Sequence, residues 1–320
     1  NAETVHKAWE TVFSETRRWR NDITGTYQKR INFSEKGYVA HVKDDSLGDN
    51  NSFKHTWYEY VPEALRGTED KVPLVIYLHG INCVALYGAE QSGWSDIADR
   101  EGFIVIYPNP SIEERWNVWD DPRIPRDSEF IMALIDHMKQ VHPIDEKRIY
   151  LSGFSMGSMF SNAMASLYPE TFAGVVALNG PHQGYLKTLE ESIEGIRVFR
   201  KNTILNSLEH FEETESPLHK VADQKKNFVD YRMPVVQFAG LQDGVGFNPG
   251  KSFPVTSDDD GMWSGTIKYW NRYNHTSGET LEYTPDTNSG FVSDRIKEFD
   301  RYVDQSWIDD ENRDLYHFVT

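Results

Sequence analysis

Ser155 sits in Gly153-Phe154-Ser155-Met156-Gly157, a G-x-S-x-G pattern, between two runs of opposite character. Arg148-Ile149-Tyr150-Leu151-Ser152 reads as a buried strand, and Ser158–Tyr168 reads as a helix whose small residues Ser161, Ala163 and Ala165 allow close packing. A strand-to-helix turn this tight leaves room only for glycine beside the serine, and it lifts the hydroxyl clear of the sheet. A serine placed in this way is suited to acyl transfer.

A serine hydroxyl is a weak nucleophile at neutral pH. It needs a base to take its proton, an acid to orient that base, and N–H donors for the oxyanion. The donors are expected from the backbone amides of Met156 and of Ile81, the residue after His79-Gly80. His79 itself is expected to tether its loop. Asp243 closes Ala239-Gly240-Leu241-Gln242-Asp243 after the run Pro234–Phe238, and its place in the chain order suits the acid. A turn-forming Asp243-Gly244 is the plainer alternative.

The base is expected in the loop after the last strand, which the pattern puts at Leu315–Thr320, and so beyond Thr320. His317 falls inside that strand, and His275 in the polar loop Asn274-His275-Thr276-Ser277-Gly278. Either serves as base only if the strand assignment is shifted. His182, in Asn179-Gly180-Pro181-His182, follows the wrong strand for the base and is read as a pocket-lining residue with Trp94 and Trp119. Core packing is an equal reading for the tryptophans, Trp116 included.

These side chains need a scaffold, and the hydrophobic periods describe one. Asn1 to Trp19 reads as an amphipathic helix, and Tyr27–Phe33 and His55–Val61 as antiparallel edge strands. Val72–Leu78 is a continuous apolar run, as in a strand buried on both faces. Trp94–Glu101 follows as a helix, Phe103–Tyr107 as a strand, Asp127–Val141 as a helix and Phe172–Leu178 as a strand. Arg295–Val303 and Leu315–Thr320 form a final pair of strands around the polar turn Asp309–Arg313. Strands alternating with helices imply an α/β fold with a mostly parallel, doubly wound sheet. Residues 1–320 are read as one domain, with 185–231 a largely helical insert over the carboxyl ends of the strands, acting as a lid.

Composition narrows the partners. A net charge of −17 argues against nucleic acid and anionic membrane surfaces. No run of about 18 apolar residues is present. Cys83 is the sole cysteine, which excludes an internal disulfide and a cysteine zinc cluster. Asp258-Asp259-Asp260-Gly261 lacks the alternating ligands of a calcium loop and reads as a solvated turn. No Walker or dinucleotide glycine motif occurs, so no cofactor or metal is expected. The chain starts at Asn1 rather than methionine, which suggests a processed or trimmed form.

Four blocks carry a family resemblance: Leu78-His79-Gly80, Gly93 to Pro108, Asp145 to Gly157, and Tyr168 to Gly174. Over roughly residues 72–180 the chain resembles the polyhydroxybutyrate-depolymerase-like esterases. These are a branch of the α/β-hydrolases that includes feruloyl (cinnamoyl) and acetyl-xylan esterases. The resemblance implies an α/β-hydrolase fold, Ser155 as nucleophile, Asp243 as acid, and, as in many relatives, a secreted or cell-surface hydrolase, while the single cysteine also fits the cytoplasm. Relatives often carry cysteine where this chain has Ile81, and they continue past a strand like Leu315–Thr320 into a histidine-bearing loop and a closing helix. The combined expectation is a serine carboxylic ester hydrolase acting on acyl (feruloyl or acetyl) esters, small or linked to plant polysaccharide. The rivals are a serine peptidase of the same fold and a catalytically inactive ligand-binding homologue.

Overall fold

A computed structural model describes residues 38–42, 56–81, 83–110, 115–118, 126–182, 232–240, 262–276, 304–311 and 313–319. In chain order these form β1 (Tyr38–Val42), β2 (Thr56–Tyr60), β3 (Val72–Leu78), α1 (Ala85–Ser92), α2 (Trp94–Glu101), β4 (Ile104–Pro108), α3 (Asp127–Val141) and β5 (Ile144–Phe154). Then come α4 (Met156–Leu167), β6 (Gly174–Leu178), β7 (Val235–Phe238), α5 (Met262–Asn274), β8 (Asp304–Ile308) and β9 (Asp314–Val319).

The strands make one sheet in the order β1-β2-β4-β3-β5-β6-β7-β9-β8. From β4 to β9 every neighbouring pair is parallel. The pairs β1/β2, β2/β4 and β8/β9 are antiparallel. This is the doubly wound α/β arrangement that the alternation of strands and helices implies.

β3 shows why the sheet is buried on both faces. Leu74, Ile76 and Leu78 pack with Phe130, Ile131 and Leu134 of α3 and with Phe160 and Met164 of α4. The intervening Val75 and Tyr77 pack with Leu86 and Ala89 of α1 and Ala98 of α2. Each fully buried side chain of this size contributes about 1.5–3 kcal/mol of hydrophobic stabilisation. The core on the α3/α4 side extends to α5 through Ile267, Tyr269 and Trp270.

A buried polar seam joins α4 to α5. Trp270 Nε1 donates to Asn162 Oδ1 at 2.9 Å, and the Tyr269 hydroxyl donates to Ser166 Oγ at 2.8 Å. Asn274 closes the seam with two bonds to the Met233 backbone, both 2.8 Å.

Several expected elements are found near their expected bounds: β2, β3, α2, β4, α3, β6 and β7. β5 is longer than expected, beginning at Ile144, and α4 begins at Met156. β1, α1 and α5 were not foreseen. The final hairpin needs correction. The partner of the last strand is Asp304–Ile308 rather than Arg295–Val303. The turn decides this: Asp309 Oδ1 accepts the amides of Glu311 and Arg313, each at 2.9 Å, while Arg313 Nη2 donates to Asp309 Oδ2 at 2.7 Å. A turn this tight puts the partner strand immediately before Asp309. Residues 1–19, 27–33, 185–231 and 295–303 lie outside the described residues.

Candidate active site

Ser155 stands between the last residue of β5 and the first of α4, with φ 55° and ψ −117°. An L-residue reaches such angles only when its surroundings hold it there. Here its N–H donates to Leu178 O at 2.8 Å and its own carbonyl accepts Met159 N–H at 3.0 Å. The side chain is half-buried, while Met156 next to it is buried.

Three glycines make the turn possible. A Cβ on Gly153 would strike the Gly157 carbonyl, one on Gly157 the Leu78 carbonyl, and one on Gly180 the Ser155 carbonyl. The elbow is thereby pressed onto the carboxyl end of β3. A Cβ placed on Gly80 would lie 3.4 Å from Ser155 Cβ and 3.3 Å from Phe154 Cδ1. The His79-Gly80 turn therefore lies against the serine, and Ile81 follows it.

His79 is fully buried at the root of this turn. Nδ1 bonds the Gly80 carbonyl at 2.8 Å, and the carbonyl can only accept, so Nδ1 carries the proton. Trp116 Nε1 donates to the His79 carbonyl at 2.8 Å, and the Trp116 ring stacks on Phe160 of α4. Burial pushes the His79 pKa down from 6.5 to about 4, with the Gly80 carbonyl and Asn109 side chain only partly opposing it.

A stability prediction follows from this shift. The folded chain holds His79 neutral, whereas the unfolded chain takes up a proton below about pH 6.5. The stabilisation is complete above that pH, is lost progressively as pH falls towards 4, and amounts to about 3 kcal/mol. Thermal unfolding between pH 7 and 4 checks it: the wild-type midpoint should fall more steeply than that of His79→Asn. Equal slopes would remove His79 as the cause.

The sequence of this elbow region matches a known family. Residues 57–205 match the model of the esterase PHB depolymerase family. Over these residues the chain is similar to PHB-depolymerase-type esterases. It is 36% identical over 110 residues to a bifunctional acetylxylan esterase/xylanase of Neocallimastix patriciarum, covering 34% of this chain and 16% of that one. It is 34% identical over 140 residues to poly(3-hydroxyalkanoate) depolymerase C of Paucimonas lemoignei, covering 42% and 32%. It is 33% identical over 149 residues to feruloyl esterase B of Neurospora crassa, covering 45% and 50%. The chain thus spans half or less of the length of these curated relatives. The fold extends further: the acetyl xylan esterase structure from Aspergillus awamori superposes with a TM-score of 0.61 at 19% identity, over 88% of this chain and 92% of that one.

The other candidate residues lie at varying distances from Ser155. His317 is half-buried in β9, in register with Val236 and Ser306. Three strand spacings, about 14 Å, separate β9 from β5. His275 is exposed at the end of α5 with φ 53°. His182 is buried beside Ser166, with Nε2 2.8 Å from Ser166 Oγ and its ring stacked on Tyr269 at 3.8 Å. Ser166 stands eleven residues along α4 from Ser155, about 16 Å at helical rise, so His182 serves the α4–α5 seam. Trp94 donates from Nε1 to Ser152 Oγ at 3.1 Å and packs edge-on against Phe103, bracing β5 from the α2 side. Asp243 and Trp119 lie outside the described residues. Among the described residues no group of His, Cys, Asp and Glu could hold a metal ion, and no helix is long and apolar enough to cross a membrane.

Asn179 is a further residue that positions the site. Asn179 has φ 52°; its N–H donates to Phe238 O at 2.8 Å, and its Oδ1 accepts Gly240 N–H at 2.7 Å. It pins the carboxyl end of β7, from which the chain runs on towards Asp243. The signal was Asn-Gly-Pro directly after a strand, since asparagine is among the few residues that tolerate a left-handed backbone.

Proposed function

We propose that the protein is a serine carboxylic ester hydrolase with Ser155 as nucleophile. The observation that carries this reading is the backbone of Ser155 at φ 55°, held in place by Leu178 and Met159 with the His79-Gly80 turn against it. In the reaction, Ser155 Oγ attacks the acyl carbonyl and its proton passes to a histidine. The oxyanion is bound by the Met156 and Ile81 amides, each worth about 3 kcal/mol in the transition state. The alcohol leaves with the histidine's proton, and water, deprotonated by the same histidine, cleaves the acyl-enzyme.

We assign the acid to Asp243. The base is assigned to the loop that leaves the carboxyl end of β9, because β9 runs parallel beside β7. His317 or His275 would have to move to serve. The names of the relatives support acetyl or feruloyl esters, free or linked to polysaccharide, as the substrate class. A polymer-borne ester goes with a secreted or cell-surface location.

A fluorophosphonate probe tests the reading. One adduct per chain is expected, mapped by mass spectrometry to Ser155, with p-nitrophenyl acetate hydrolysis stopping as it forms. No adduct, or an adduct on another serine, overturns it.

A further inference from the structure

We propose that His79 is a positioning residue which aims the Ile81 amide at the oxyanion by gripping the carbonyl of the same peptide group. The inference rests on the esterase reading of Ser155. The Gly80 C=O and the Ile81 N–H belong to one planar unit, and in the trans form they point in opposite directions. Whatever fixes the carbonyl therefore fixes the amide.

Two donors fix that carbonyl. His79 Nδ1–H bonds it at 2.8 Å and Cys83 N–H at 3.2 Å. The His79 ring is held in turn. It is 1% exposed, lies 5.2 Å from the Trp116 ring, and its backbone carbonyl accepts the Trp116 indole N–H. Trp116 stacks on Phe160, so the clamp is anchored to α4, the helix that begins just after Ser155. From the other side Gly80 abuts Ser155 Cβ and the Phe154 ring. The carbonyl faces His79, so the Ile81 N–H of the same trans peptide points the opposite way.

The protonation of the ring suits this role. The neutral ring has one proton, and the Gly80 carbonyl, which can only accept, takes it from Nδ1. Burial keeps the ring neutral near pH 7. His79 therefore offers a fixed donor and transfers no proton.

Full-length wild type, His79→Leu, His79→Asn and Ser155→Ala are compared. Leucine fills the space without a donor, whereas the asparagine Nδ2 reaches the place of Nδ1. His79→Leu is expected to lower kcat for p-nitrophenyl acetate about a hundredfold with KM little changed. Inhibition by phenylboronic acid, which forms a tetrahedral oxyanion on the serine, should weaken in parallel. His79→Asn should keep most of both. An inactive Ser155→Ala beside an unaffected His79→Leu overturns this inference alone. An active Ser155→Ala overturns the esterase reading and this inference with it. Independently of turnover, 15N NMR of the histidines should find the His79 proton on Nδ1 at neutral pH, and a proton on Nε2 overturns the clamp.

Discussion

Ser155→Ala should slow p-nitrophenyl acetate hydrolysis by about 10⁴-fold or more while leaving the fold intact. The change removes only Oγ; Cβ stays, and with it the contact to the Gly80 turn. Ser155→Gly separates catalysis from strain. The backbone at φ 55°, ψ −117° costs a residue with a Cβ about 1–3 kcal/mol. Glycine escapes that cost but loses about 0.5–1 kcal/mol in backbone entropy. Ser155→Gly should therefore be as dead as Ser155→Ala yet more stable by about 1 kcal/mol. Guanidinium unfolding of the two variants in parallel measures the difference. A glycine variant less stable than the alanine variant would mean that the elbow stores no strain, and that Ser155 is held in this conformation without cost.

The elbow could be read from the chain because its requirements are local. Glycine, serine and glycine at fixed spacing, with an apolar strand before and small residues after, leave few alternatives. Central strands such as Val72–Leu78 were legible for a similar reason, since burial on both faces leaves no polar interruption. What was missed depends on partners distant in sequence. α1 buries Ala85, Leu86, Gly88 and Ala89, a face of mostly small residues that lets Tyr77 and His79 approach Gly88. A search for large apolar residues at helical spacing passes over such a face. The position of His182 just after the strand that ends at Leu178 suggests a pocket-lining residue. Its true place was set by Tyr269 of α5, a helix that had not been foreseen. The last hairpin shifted because Asp309 and Arg313 close a tighter turn than the hydrophobic pattern alone required.

Gly157→Ala should be among the most damaging single changes in the described structure, and the reason is contact alone. Gly157 has no left-handed backbone to protect, whereas an alanine Cβ there would meet the Leu78 carbonyl and come within 2.6 Å of the His79 oxygen. Both obstacles are backbone, so no rotamer change relieves them. α4 must move off the end of β3, and the Met156 amide, the Ser155 turn and the His79-Gly80 turn would move relative to one another. A loss of about 3 kcal/mol or more in stability is expected. Fluorophosphonate labelling of Ser155 should also fall in whatever fraction stays folded. Gly102→Ala is the matched control. Gly102 has φ 75° with nothing within 4 Å of an added Cβ, so its substitution tests conformational strain without collision. It should cost about 1 kcal/mol and leave labelling unchanged. If the two alanines cost the same, the close approach of α4 to β3 contributes nothing specific, and the oxyanion donors are not held by it. If Gly157→Ala alone abolishes labelling, the same contact that packs the helix onto the sheet also sets the geometry of the reaction.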